Sequence, residues 1–397
     1  MSHRVPRTAL LSTAAVTAAL LALTAVPAQA APAGGQPFAA PVGGQPFAAA
    51  EAGQPFAAGP TVYDITDALA RDLAATVTPL AARVAADADQ TLDLSAAVAG
   101  KGLGKRVAQA DEAVLRAKGL EDADSALLQV RLAHPDMLPA LRAGKAPLIA
   151  ATPTDDTAAD LVAYDRTGAR VVLDVATVPA RPVLMIEVDT AQALELGAEV
   201  LRSELAAAGV TSATTADGAP AVAAAGDQLQ VASTGYWATK VTSVQVADIK
   251  EPFFKGNAEI FNIVGGYDLN GDPKVDIVEM PYLDKAATTY YPNQLLVHFK
   301  AYKWNLADVV MMEDDGDTNY KSLAIALVTA LLTVIDGGAA FTPLVTAIID
   351  AMPNKWWTDD PDYVDSWYTL STKSTGRLNG AAGNAWMTVQ PYWVAAL

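Results

Sequence analysis

Two acidic stretches hold the side chains with the clearest capacity for chemistry. Asp248, Glu251, Asn257 and Glu259 fall in the first, with Gly256 permitting a tight bend among them. Glu313, Asp314, Asp315 and Asp317 fall in the second, around Gly316. Carboxylates gathered in one place repel one another unless a cation lies between them. Hard oxygen ligands on glycine-permitted turns suit Ca²⁺, which takes about six to eight oxygens in a flexible shell. All eight residues are therefore candidate Ca²⁺ ligands, provided the fold brings the two stretches together. The plainer reading is a pair of solvated turns, with Asp315 and Asp317 favouring the N-terminus of a helix that starts near Tyr320. Lys250 and Lys255 lie inside the first stretch and count against a metal shell.

Two further constellations compete with that one. Counted from Asp268, acids or amides stand at positions 1, 3, 5, 9 and 12, which is the spacing of an EF-hand loop. Position 6, where that loop needs glycine, is Pro273, and the flanks alternate as strands do. A polar turn entering a strand is the better expectation. The other run is Trp356, Trp357, Asp359, Asp360, Asp362 and Tyr363, with Asp365, Trp367 and Tyr368 beyond. Flat rings beside carboxylates can bind sugars. Paired carboxylates roughly 5–9.5 Å apart can hydrolyse glycosidic bonds. A hydrophobic anchor followed by an acidic turn explains the same residues. The glycine-rich run 100–105 departs from a phosphate loop, because Ala99 and Arg106 stand where glycine and Ser/Thr belong. His134 and His298 read as isolated histidines, and no catalytic residue is assigned.

The elements that must position these residues divide the chain. Leu69, Leu73, Val77, Leu80 and Val84 mark one helix face, with Thr78 and Pro79 as a restart signal. A helix is expected over 105–118, stopping at Gly119, and another over 190–208, stopping at Gly209. Strands are expected at 128–132, 161–164, 171–175 and 183–188. Residues 61–209 thus read as an α/β domain, and 210–228, rich in Thr, Ser, Ala and Gly, as a linker. From 229 to 397 short alternating strands dominate, near 241–246, 258–264, 274–278, 295–299, 308–312, 363–370 and 385–389. Leu295, Val297 and Phe299 are expected on one face of their strand and Leu296, His298 and Lys300 on the other. A β-sandwich fits this pattern. Within it, 320–352 reads as an inserted helical hairpin turning at Asp336-Gly337-Gly338. Each arm is about 20 Å long, too short for a bilayer core of about 30 Å. The fold class is therefore α+β: an α/β domain followed by a β-sandwich with a helical insertion.

Composition bounds the setting. Residues 1–30 read as a secretory signal peptide: Arg4 and Arg7, an apolar stretch, then Ala28-Gln29-Ala30 as the cleavage site after Ala30. Gly-Gln-Pro-Phe-Ala-Ala then starts at Gly35, Gly44 and Gly53, a low-complexity leader over 31–60. A net charge of −17 disfavours nucleic acid and anionic membranes as partners. The chain has no cysteine, which removes thiol nucleophiles, thiolate metal sites and disulfides.

The acidic loops at one end of a sandwich resemble those of C2-like domains, where such loops hold calcium. A second resemblance rests on Glu251-Pro252-Phe253-Phe254-Lys255-Gly256-Asn257-Ala258-Glu259-Ile260, Met280-Pro281-Tyr282-Leu283-Asp284, Tyr291-Pro292-Asn293-Gln294 and Asp314-Asp315-Gly316. These are similar to an exported bacterial family known as a domain of unknown function. That resemblance implies secretion and a shared two-part layout from about residue 61 to the end, and no activity. The expectation is a secreted binding or structural module stabilised by Ca²⁺, with an unidentified extracellular ligand such as a carbohydrate. The alternative is a secreted hydrolase of glycans working through carboxylates.

Overall fold

A computed structural model describes residues 60–98, 100–153, 158–215, 235–249, 254–256, 258–314, 316–336, 345 and 363–395. The expected signal peptide and nearly all of the repeat leader lie outside them. The chain opens with α1 (Val62–Leu73), which carries a reciprocal cap: Thr61 Oγ1 accepts from Asp64 N at 3.1 Å and Asp64 Oδ2 accepts from Thr61 N at 3.0 Å. A short 3-10 turn, Ala74–Thr76, leads directly into α2 (Val77–Ala86). The restart was expected at Thr78. It comes earlier because the turn carries the chain on without a break, and Pro79 then sits in the first turn, where no hydrogen bond is lost. There follow α3 (Leu94–Ala97), α4 (Lys101–Ala117), α5 (Leu138–Arg142) and α6 (Thr190–Ala207). The glycine-rich run thus opens α4 and is no phosphate loop.

The first sheet takes β1 (Thr91–Asp93), β2 (Leu128–Leu132), β3 (Leu148–Ala151), β4 (Asp160–Tyr164), β5 (Arg170–Asp174) and β6 (Val183–Val188) in the order β1-β2-β6-β3-β4-β5. Only β3 and β6 run parallel. The run Val183–Val188 is buried except at Glu187, as expected of a strand covered on both faces.

The second sheet uses β7 (Thr211–Thr215), then, past β8 (Tyr236–Val246), β9 (Ile260–Tyr267) and β10 (Pro273–Glu279). Past β11 (Gln294–His298) it adds β12 (Leu306–Glu313) and β13 (Tyr363–Ser371). Its order is β13-β12-β9-β10-β7. The third sheet orders β11-β8-β15-β14, with β14 (Gly376–Asn379) and β15 (Ala385–Val394). β7 corrects the linker expectation for 211–215. Its threonines favour extended backbone, and the segment adds in parallel to β10, Lys274 opposite Thr211 through Val278 opposite Thr215. Residues 216–228 lie outside the described ones.

The five-stranded sheet buries both faces. On one, Phe261, Ile263, Val275, Ile277, Val310 and Met312 join the core built by the first sheet, α1, α2, α4 and α6. On the other, Ile260, Val264, Val309 and Met311 share a second core with Val241, Val244, Met387 and Val389 of the four-stranded sheet. No packing gap therefore falls at residue 210. α7 (Tyr320–Asp336) packs against α6, and Gly197 makes that approach possible: a Cβ there would lie 2.3 Å from the Tyr320 ring. The second arm of the expected hairpin lies outside the described residues except for Val345, which is buried. Among the described residues no helix is long and apolar enough to cross a membrane.

Alternation fails at one expected place. Leu296, Val297 and Phe299 are all buried, while Leu295 and His298 are only half-buried. A bulge between Leu295 and Val297 shifts the register against β8 and turns Leu296 inward.

Candidate functional site

Where β8 ends, the chain is stitched to the β14–β15 turn. Asp248 N donates to Asn384 Oδ1 at 3.1 Å, and Asn384 Nδ2 returns a bond to Asp248 O at 2.9 Å. Asp365 supports the same turn from beneath. Its carboxylate, wholly buried, accepts from Ser366 N and Ala382 N at 2.8 Å and from Ala385 N at 2.6 Å. Gly380 leaves room for it, since a Cβ there would lie 2.0 Å from the carboxylate carbon. Asp248, Glu313, Tyr363 and Asn384 then border a cavity of about 240 Å³, with Ile249, Val364 and Ala382 completing its wall. Burial raises the Tyr363 hydroxyl above its ordinary range, so the phenol stays neutral there.

The cavity brings one residue from each acidic stretch to a common space: Asp248, exposed, and Glu313, buried. The stretches also meet through main chain, since Asp314 N donates to Glu259 O at 3.1 Å. Asp314 itself goes elsewhere. Its side chain accepts from Lys118 Nζ at 3.5 Å and Gly316 N at 3.0 Å, and it takes the Tyr320 hydroxyl on its other oxygen. The Lys118 and Asp314 side chains are fully buried. Counted along the sequence, Glu313 and Asp314 look like one cluster. In the structure Glu313 closes β12 beside the cavity, and Asp314 just past it turns to α4 and α7. The two-residue period of a strand sends neighbours to opposite sides. Asp317 is half-buried in the following segment. Glu251, Asn257 and Asp315 lie outside the described residues. Among the described residues no three acidic or histidine side chains converge closely enough to hold a metal ion.

The other constellations resolve as scaffold. Asp268 Oδ1 accepts from the amides of Asn270, Gly271 and Asp272 at 2.8, 2.9 and 2.9 Å, closing the β9–β10 hairpin. That is the polar turn expected at this spacing. Asp276 is held by Lys274 Nζ at 2.5 Å and by the Tyr302 hydroxyl at 2.7 Å. Residues 356–362 are outside the described ones. Trp367 is buried and donates to Leu378 O at 3.3 Å, so with Asp365 it belongs to the core. His298 Nδ1 meets the Tyr236 hydroxyl at 2.9 Å.

The residues that carry the family resemblance interlock in the same way. Tyr282 donates to Gln294 Oε1 at 2.5 Å, Gln294 Nε2 donates to Glu279 O at 2.8 Å, and Tyr290 donates to Asp284 Oδ1 at 2.6 Å. Sequence reasoning missed Asn384. The Gly383-Asn384 pair signals a turn, but nothing local says which strand end it will hold.

Residues 64–396 match a family described as protein of unknown function (DUF3103). No curated protein and no solved structure matches the chain.

Proposed function

The chain belongs to this DUF3103 family, whose description assigns no reaction, and we propose that it is an exported, non-enzymatic binding or structural module. The residue 1–30 pattern supports export, with cleavage after Ala30. The five- and four-stranded sheets, sharing one core, form a β-sandwich of C2-like kind, braced by Ca²⁺ at the end where Asp248 and Glu313 border one cavity. That meeting of two acidic stretches, far apart in sequence, is the observation that carries the reading. Both carboxylates and the Asn384 amide are hard oxygen donors, and Glu251, Asn257, Glu259, Asp315 and Asp317 belong to the same two stretches.

Ligand binding to the folded state alone raises stability by mass action. Millimolar Ca²⁺ should therefore raise the melting temperature of the full chain, and a chelator should reverse the rise. Asp248→Asn with Glu313→Gln should abolish the response. An unchanged melting curve removes the ion. The glycan-hydrolase alternative loses Asp365, whose carboxylate is held by three main-chain amides. Turnover of any polysaccharide by the purified protein would overturn the non-enzymatic reading.

A further inference from the structure

We propose that the outward face of the four-stranded sheet docks an anionic polysaccharide, one that carries carboxylates along its length. The inference rests on the reading of this chain as a binding module and is independent of the cation at the sandwich end. The first observation is compositional. The chain has 44 Asp and Glu, yet β8, β11, β14 and β15 contain none. The second is geometric. Arg377 lies over the Trp386 ring at 4.0 Å, Lys240 over the Tyr392 ring at 4.8 Å, and Lys300 over the Tyr236 ring at 4.4 Å. Among the described residues none of these three cations is ion-paired with a carboxylate. Each is held in place by a ring face, which lowers the entropy lost when an anion arrives.

The register puts them in a row. Trp386 and Tyr392 stand on the same face of β15, six residues apart, which is about 20 Å of strand. Between them Thr388 and Gln390 project on the same face, opposite Ser243 and Lys240 of β8. They offer hydroxyl and amide partners to a chain of sugars. The partly exposed Tyr392 ring on this face offers aromatic surface to a pyranose ring. Charge complementarity selects the occupant. The net charge of −17 repels polyanions at a distance, but screening at physiological salt confines that field to about 8 Å, so the local row of cations decides. A polar, cationic strip with ring platforms fits an extended acidic glycan.

The test uses the full chain in the presence of chelator, so that the outcome does not depend on calcium. Isothermal titration with oligogalacturonate should give saturable, salt-sensitive binding. A neutral galacto-oligosaccharide should bind at least about tenfold more weakly. The Lys240→Ala, Lys300→Ala, Arg377→Ala triple variant should lose at least about tenfold in affinity. Its melting temperature and its calcium response should stay unchanged, and Lys240→Arg with Lys300→Arg should keep binding. No binding to the uronate overturns the proposal, as does equal affinity for the neutral sugar. So does equal affinity for polyglutamate or an oligodeoxynucleotide, or a dimer in sedimentation that the triple variant dissolves. If the bound uronate is cleaved, the non-enzymatic reading fails while this surface stands.

Discussion

The five-stranded and four-stranded sheets share a core yet treat charge in opposite ways. Every residue of β9 is buried, and the sheet it belongs to holds Asp276, Glu279, Asp308, Glu313 and Asp365. Three of these are tied down by named partners: Asp276 by Lys274 and Tyr302, Asp308 by Thr369 N at 2.7 Å, and Asp365 by three amides. The four-stranded sheet has one face turned outward and no carboxylate in any strand. A buried acid must find donors or a cation, so in the covered sheet acids are structural parts. In the open sheet nothing demands their removal, and their absence there is what leaves three cations available.

The largest test of that contrast lies where the covered sheet meets the helices. Asp314→Ala would strand a fully buried Lys118 ammonium and should cost roughly 3–5 kcal/mol in urea unfolding. Joint replacement of Lys118 by Met and Asp314 by Leu should cost less than the two single changes summed. Simple addition would deny that they form a pair. Next come side chains of similar reach on the two sheets. Ile263→Ala, on the covered sheet, should cost about 2–4 kcal/mol. Tyr392→Ala, on the outward face, should cost under about 1 kcal/mol. Equal losses would mean that the outward face is covered after all.

The smallest effect concerns Glu279. Burial, and secondarily Glu195, hold its carboxyl above the ordinary range against an opposing pull from Arg202. A raised pKa in the folded state stabilises the protonated form. Its contribution is complete below the unfolded pKa and is lost as pH rises through the folded one. Glu279→Gln should therefore stabilise the fold at neutral pH and change nothing in acid. Urea midpoints across that pH range would show a flat difference if the carboxyl titrates normally.

Much of the fold was legible because local patterns agreed with tertiary demands. β2 and β6 run over the residues their apolar runs suggested, and α6 begins at the Thr190 expected of it. β7 was not legible. Threonines beside alanine and glycine read as linker, and only the distant β10 makes them a strand. The bulge in β11 was equally hidden, because an extra residue leaves the pattern of residue types intact while changing which face each one takes. For the candidate site, the fold brings Asp248 and Glu313 to one cavity and turns Asp314 away to Lys118 and Tyr320. Glu313 and Asp314 are neighbours in number and strangers in space, and Asn384, which joins the strand end to the turn, had no pattern of its own to announce it.

The parallel pairing of β7 with β10 also sets where the molecule can be cut. A fragment begun at residue 229 would carry every strand of the open sheet but would leave the main-chain amides and carbonyls of β10 bare along one side. Such an edge recruits strands from other chains. Anyone isolating the C-terminal half must keep the threonines before it, because they pair with that border.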